Sequence, residues 1–312
     1  MRPDVVVEDN VVCFPALMSA GVPFVRIMSC NPLEMTGPDV PPPYSGLPSD
    51  DRSGWDAFRA EYDRTHRPIW AEFDEWVQSK GAPPLPDLAF MHPSSVLNLY
   101  VYPQAVDYVD RRPLDETWVR LESSVRRTDE EFELPDSMQH RSERSGLVYL
   151  SLGSLGSADV ALMKHLVDAL SASPHRFIVS KGPRHDEYEL ADNMWGAEFL
   201  PQTRVLPEVD LVITHGGNNT TTEAFHFGKP MVVLPLFWDQ HDNAQRMHET
   251  GFGIRLPTYE FAPSEMLSAI EGLIGSSVLR ERLAAVAKDI RLRDDVRLAA
   301  RRIAAAAVSS DH

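Results

Sequence analysis

Cysteine is scarce in this 312-residue chain: there are two, Cys13 and Cys30, both in apolar company. Two thiols build neither a disulfide framework nor a cysteine-rich zinc site, so both are expected to be reduced core residues. Basic charge is also short, with 30 Lys and Arg against 46 Asp and Glu, a net charge of -16 and a pI near 5.1. Nucleic acid and anionic membranes are recognised by a basic face, so neither is expected as a general partner, although a local anion site is not excluded. Long apolar runs are missing too, and the N-terminus "MRPDVVVEDN" lacks the charged-then-apolar layout of a signal peptide. Membrane insertion is therefore not expected, and the cytoplasm is the default location. No acidic pair has metal-ligand spacing, so no metal and no bound cofactor is expected.

What is present is enough for two domains of ordinary size, with 43% hydrophobic residues to fill their cores. The opening "PDVVVEDNVVCFPALMSAGVPFVRIMS" reads as strand, helix or loop, and strand, half of a parallel β-α-β arrangement. "DVVV" is apolar on both faces, which predicts an interior strand and implies neighbours that the two preceding residues do not supply. Residues 32–51 are rich in Pro and Gly and predict an ordered surface loop. Aromatics Trp55, Phe58, Tyr62, Trp70, Phe73 and Trp76 recur at helical spacing, interrupted at Pro68. Such a stripe is more often core than binding surface.

The polar stretch 122–145 reads as a linker, dividing the chain into 1–140 and 145–312. From residue 147 strands and helices alternate: "LVYLSLG", "RFIVSK", "AEFL", "VDLVIT", "MVVLP" and "GFGIRL" as strands, with helices between them at 157–172, 219–227 and 241–250. Met163, Leu166, Val167 and Leu170 form the apolar face of the first helix. Continuous apolar strands in such alternation predict a doubly wound parallel α/β sheet, Rossmann-like, with helices on both faces.

In sheets of that kind ligands bind beyond the carboxyl ends of the strands. The richest such position is "VITHGGNNTTTEAFHFGKP", residues 212–230. Gly216 and Gly217 permit a tight turn into a helix whose first amides point outward, an anion site. Asn219, Thr220, Thr221 and Thr222 suit a helix start, and His215 can donate to the same anion. Glu223, placed on the first turn beside that anion, fits ribose hydroxyls better than phosphate. A phosphorylated nucleoside satisfies all of these residues together.

With "FLPQTRVLPEVDLVITHGGNNTTTEAFHFGKPMVVLPLFWDQHDNAQR" at 199–246, the sequence resembles the inverting nucleotide-sugar glycosyltransferases of the GT-B fold, the family of plant UDP-sugar and bacterial macrolide and antibiotic transferases. The resemblance implies two Rossmann-like domains: a partial acceptor domain over 1–140, lacking about a hundred N-terminal residues, and a donor domain over 145–312. It implies that Phe199 stacks on the base and that the backbone around Gln202 reads the base edge. His215, Gly217, Asn219 and Thr220 would cradle the diphosphate, with Ser154 reaching it from the first loop. Glu223 would hold the ribose, and Asp239 and Gln240 the sugar hydroxyls. Gly216 and Asn218 stand where plant members carry Cys and Trp, so the bacterial branch is the nearer one and the donor is a UDP- or dTDP-sugar.

The resemblance also places Asp9 where family members keep an aspartate that orients a general-base histidine, and that histidine has no counterpart here. An acceptor hydroxyl has a pKa far above 7, so transfer without a base is expected to be slow. The leading expectation is transfer of a hexose with inversion to a hydroxyl of a small apolar acceptor. A non-catalytic nucleotide-sugar-binding partner protein is the second reading, and an epimerase on the same fold the third.

Overall fold

The computed structural model describes residues 3–139 and 145–308. Its strands are β1 (Val6–Asp9), β2 (Phe24–Met28), β3 (Leu97–Tyr100), β4 (Trp118–Arg120), β5 (Leu147–Ser151), β6 (Arg176–Ser180), β7 (Met194–Ala197), β8 (Leu211–Thr214), β9 (Met231–Val233) and β10 (Gly253–Arg255). Its helices are α1 (Pro15–Met18), α2 (Trp55–Ser79), α3 (Asp136–Gln139), α4 (Gly153–Gly156), α5 (Val160–Ser171), α6 (Gln202–Val205), α7 (Asn218–His226), α8 (Gln240–Glu249), α9 (Pro263–Gly275), α10 (Ser277–Arg291) and α11 (Asp295–Val308). They fall into two compact units, one made of Met1–Ser124 with Arg293–His312 and the other of Val125–Leu292.

The first unit is built on a four-stranded parallel sheet in the order β1-β2-β3-β4. Val25, Leu97, Leu99, Val101 and Leu121 of this unit pack with Ala299 and Ile303 of α11. That packing corrects the division expected from sequence, which left the last helix with the second domain. An alanine-rich helix carries no local sign of which sheet it serves. Here it is anchored at its start, where the Asp295 carboxylate accepts the backbone N–H of Glu122 (2.6 Å) and of Ser123 (3.0 Å). A second cluster joins Cys13, Val77, Leu85 and Met91, with Trp70 and Phe73 of α2. Cys13 is thus a core thiol, pushed up to about 11 by burial and the nearby Glu8 charge. Cys30 is half-buried, and neither cysteine is in a disulfide.

β1 is the edge strand of this sheet with Val7 42% exposed, so the neighbours that its apolar run implies are not supplied by the described residues. One sequence expectation fails in this unit. Pro68 does not break the aromatic helix, and α2 runs unbroken for 25 residues. A proline removes one rung of the ladder. In the turn before it, Thr65 Oγ1 donates to the carbonyls of Glu61 (2.8 Å) and Tyr62 (3.1 Å), and tertiary burial at both ends of the helix holds the rest.

The second unit carries a six-stranded sheet, parallel throughout, in the order β10-β9-β8-β5-β6-β7. β5, β8 and β9 are buried at every position, which is why their sequences run apolar without alternation. On α5 the expected face, Met163, Leu166, Val167 and Leu170, is buried. One strand is displaced: "AEFL" at 197–200 contributes only Ala197, because the strand is Met194–Ala197. Gly196 hid it, since a Cβ there would lie 2.3 Å from the Val179 carbonyl, a close backbone approach that local pattern does not reveal. Counting β5 as the first strand, the sheet reads third, second, first, fourth, fifth, sixth. The winding direction therefore reverses between β5 and β8, and their carboxyl ends open a crevice there.

Candidate functional site

β5 and β8 run in register to their last residues, Ser151 beside Thr214, so the segments that follow them leave the sheet side by side. After β8 the chain turns on Gly216, whose φ of 83° favours glycine. A Cβ at Gly216 would also lie 2.7 Å from Val233 and 3.3 Å from the Gln240 carbonyl. Asn243 Nδ2 clamps the turn by donating to the Gly216 carbonyl at 2.8 Å. The start of α8 is thereby drawn against the His215–Gly217 turn.

The two other glycines of this crevice serve the His215 ring. A Cβ on Gly153 would lie 2.9 Å from its Cε1, and one on Gly217 would lie 2.6 Å from its Nε2. The ring is slotted between the two loops, and burial drives the imidazole down to about 4, opposed by a hydrogen bond with the Ser151 backbone. At neutral pH His215 is therefore uncharged and acts as a neutral hydrogen-bonding group. Gly217 does not adopt a positive φ as the sequence suggested. It is the residue before α7, and it is small because the ring needs the space.

α7 starts at Asn218, with Thr221 N donating to the Gly217 carbonyl as the first rung. The amides before it stand outside the helical ladder at its positive end. No side chain caps the helix. The threonines expected to do so point elsewhere: Thr220, Thr221 and Thr222 are buried, Thr221 Oγ1 bonds back to Gly217 O, and Asn219 is exposed. Glu223 is the sixth residue of α7 and sits in its second turn, not in the first as expected. There the carboxylate is 2% exposed, accepts from Gln202 Nε2 at 2.5 Å and is paired with Arg126 Nε at 2.8 Å. Gln202 also donates to Thr220 Oγ1 at 3.2 Å, so its side chain ties α6 to α7.

Asp239 and Gln240 open α8 and are both buried. Gln240 Oε1 accepts from the amides of Leu236 (3.0 Å) and Phe237 (3.2 Å) and closes the loop after β9. In that loop Trp238 holds a φ of 56°, a strained conformation for a bulky residue. His241, the second residue of α8, is half-buried, and that burial lowers its pKa.

The residues singled out by sequence thus gather unevenly. Ser154, exposed beside Gly153, joins His215, Gly217, Asn219, Thr220, Glu223, Asp239 and Gln240 around the crevice, with Gln202 behind Glu223. Phe199 is 59% exposed in the loop after the edge strand β7, shortly before Gln202. Asp9 lies in the first unit, at the end of β1, where its Oδ1 accepts from Ser29 Oγ at 2.9 Å. His92 is engaged with Cys13 Sγ (3.3 Å) and the Pro83 carbonyl (3.0 Å), and His140 lies outside the described residues. Sequence reasoning missed Arg126, which sat in a stretch read as linker, and Asn243, whose only signal was its place one turn after Asp239. Among the described residues no group of three or more His, Cys, Asp and Glu is arranged to hold a metal, and no helix is long and apolar enough to cross a membrane.

A family model described as UDP-glucoronosyl and UDP-glucosyl transferase matches residues 126–292. The NDP-glycosyltransferase YjiC of Bacillus subtilis (strain 168) is 33% identical over 148 residues, 46% of this chain and 38% of that protein. The chain therefore matches well under two thirds of this relative's length. Among solved structures, the glycotransferase of kitacinnamycin superposes with a TM-score of 0.71 at 21% identity, covering 99% of this chain and 76% of that one. The glycosyltransferase VinC in complex with dTDP gives 0.66 at 18% identity, covering 98% and 72%. At such identities the likeness speaks for the fold, the parallel-sheet α/β architecture of GT-B glycosyltransferases.

Proposed function

The chain belongs to the UDP-glucoronosyl and UDP-glucosyl transferase family, and from that premise we propose that it moves a hexose from a UDP- or dTDP-sugar to a hydroxyl of a small, mostly apolar acceptor, with inversion. One observation carries the reading: the His215 ring slotted between Gly153 and Gly217 at the point where the sheet reverses, with the first amides of α7 beside it and a buried carboxylate one turn farther on. Amides and a neutral imidazole favour a diphosphate, whose charge the helix start stabilises without a metal. Glu223 accepts the ribose hydroxyls. Arg126, whose side chain is 64% exposed, occupies that carboxylate from the solvent side and yields when the pentose arrives, with two hydroxyls in a UDP donor and one in a dTDP donor. Asp239 accepts from hydroxyls of the sugar, and the Gln240 amide nitrogen, not used in closing its loop, donates to them.

In the step itself the acceptor oxygen attacks the anomeric carbon as the bond from that carbon to the diphosphate oxygen breaks. Negative charge builds on the leaving diphosphate, beside the first amides of α7 and the His215 ring. The acceptor proton must pass to a base, and Asp9 is proposed to orient that base and not to be it.

Calorimetric titration with UDP and with UDP-glucose tests the reading. We expect binding of both, weakened at least tenfold in His215→Ala. Unchanged UDP affinity in that variant would overturn the phosphate assignment. Binding with no turnover across a panel of phenolic acceptors would leave a nucleotide-sugar-binding protein in place of a transferase.

A further inference from the structure

The transfer proposed above leaves one requirement unassigned: the acceptor hydroxyl must lose its proton as its oxygen attacks. Among the described residues Asp9 is bonded to Ser29 Oγ and to no histidine. The apolar acceptor finds an apolar site in the first unit, a cavity of 340 Å³ walled by the proline run 41–43, by Phe58 and Tyr62 of α2, and by Leu88 and Phe90 of the loop before β3. A base for the step has to face this space and keep a lone pair to spare.

Three carboxylates line the cavity, Glu34, Asp63 and Asp87. Asp63 gives both oxygens to Arg67, to Nε at 3.0 Å and to Nη2 at 2.7 Å, and Asp87 is bound by the same guanidinium. The arginine of the cavity, Arg59, is engaged with the carbonyls of Gly37 (3.4 Å) and Val40 (3.1 Å), and a guanidinium accepts no proton. Burial and the Glu34 charge push Tyr62 up to about 12, so it keeps its own proton. Elimination leaves Glu34. Its Oε2 accepts the Tyr44 hydroxyl, while its Oε1 has Arg26 Nη2 at 3.9 Å, beyond hydrogen-bond reach. Arg26 thus faces that oxygen with charge and leaves its lone pairs open.

The chain holds this carboxylate in place from several sides. Glu34 ends a short 3-10 turn, Pro32–Glu34, capped by Asn31, whose Oδ1 accepts the Leu33 N–H at 2.9 Å. Tyr44, the partner of Oε2, has a φ of 67°, a conformation that costs about 1–3 kcal/mol in a residue other than glycine and concentrates at functional sites. Asp9 acts on the same segment. It accepts from Ser29, the first residue after β2, at 2.9 Å, and so anchors the start of the stretch that carries Glu34.

We propose that Glu34 is the general base of the transfer, its Oε1 taking the proton of an acceptor hydroxyl seated in this cavity. The acceptor O–H bond breaks toward Glu34, and the freed electron pair forms the bond to the anomeric carbon. The bond from that carbon to the diphosphate oxygen breaks, its pair leaving with the diphosphate, and Glu34 returns its proton to water. The inference rests on the transferase reading and supplies the base which that reading lacks.

The test is initial-rate transfer from UDP-glucose to 2-naphthol and to 2-naphthalenethiol at pH 8. The aryl thiol is ionised at that pH and attacks without a base, whereas 2-naphthol needs one. We expect Glu34→Gln to lower kcat for 2-naphthol about a hundredfold or more, with its KM, the affinity for UDP and the rate with the thiol all within about threefold of the unmodified protein. A purely structural role would slow both acceptors alike. Tyr44→Phe, which keeps the ring and removes the hydroxyl on Oε2, should lower kcat for 2-naphthol by about three- to tenfold and spare the thiol, and it carries the test alone should Glu34→Gln fold poorly. Full 2-naphthol turnover in Glu34→Gln, or equal losses with naphthol and thiol in either variant, would overturn the proposal and leave the transferase reading standing. An unmodified chain that binds UDP-glucose but transfers to neither acceptor would take down that reading and this base with it.

Discussion

The crevice of the second unit and the cavity of the first are made of different material. The crevice is built from backbone: a Gly216 turn, the amides at the start of α7, and two glycines that exist to admit one imidazole. The cavity is built from side chains: prolines and aromatic rings from three separate segments around one underused carboxylate oxygen. A backbone-built site tolerates almost no added carbon at its glycines but leaves the neighbouring side chains free to vary. A side-chain-built site responds in a graded way to each ring removed.

Gly216→Ala should have the largest effect. It combines a positive φ with a Cβ 2.7 Å from Val233, so about 2–4 kcal/mol of stability should be lost from the second unit, read as a lower denaturant midpoint at constant slope. UDP binding should disappear with it, while 2-naphthol binding in the first unit persists. Loss of both would show that the two units do not respond separately.

Glu223→Ala comes next. It removes the partner of Gln202 and Arg126 from a buried position, and UDP affinity should fall by about 2 kcal/mol, some thirtyfold, in calorimetry. Arg126→Ala should move the other way or not at all. The guanidinium is exposed, contributes little to stability, and its removal clears the carboxylate for the ribose. A tenfold loss of UDP affinity in Arg126→Ala would make Arg126 part of the site and not its occupant.

The same contrast explains what could be read from the sequence. The His215–Gly217 turn, the alternation of strands and helices around it and the α5 face were legible because glycine and apolar runs act locally, within a few residues. Arg126 was not, since it meets Glu223 across 97 positions and stood in a stretch with no period. Gly153 was not singled out, because its reason is a ring 62 positions away. α11 was assigned to the wrong unit for the same cause: Asp295 reaches back 173 residues to the Glu122 amide. The cavity was half visible. The aromatic stripe was seen, but whether its middle faced core or space depended on the proline run and on Leu88, which approach it only in three dimensions.

Gly217→Ala sharpens the comparison further. Its φ of -59° suits alanine, so the only penalty is the methyl meeting His215 Nε2. Stability should change by less than about 1 kcal/mol, while displacement of the ring weakens UDP about tenfold. Paired with Gly216→Ala, it separates a glycine required by the fold from one required by the ligand.

The smallest effect is that of pH. His215 titrates near 4 when folded, against about 6.5 in an unfolded chain. Between those values the unfolded state binds the extra proton, so stability is intact above the unfolded pKa and is lost as pH falls through that window. From pH 7 to 5.5 the loss should be about 1 kcal/mol, and His215→Gln should remove that part of the slope. UDP-glucose, a diphosphate diester that keeps its charge over this range, adds the opposite trend. An anion beside the ring raises the folded pKa, so the ligand should bind more tightly and take up protons as pH drops from 7 to 5. A flat affinity across that range would mean the ring does not touch the diphosphate, and the crevice would then have to be read through α7 alone.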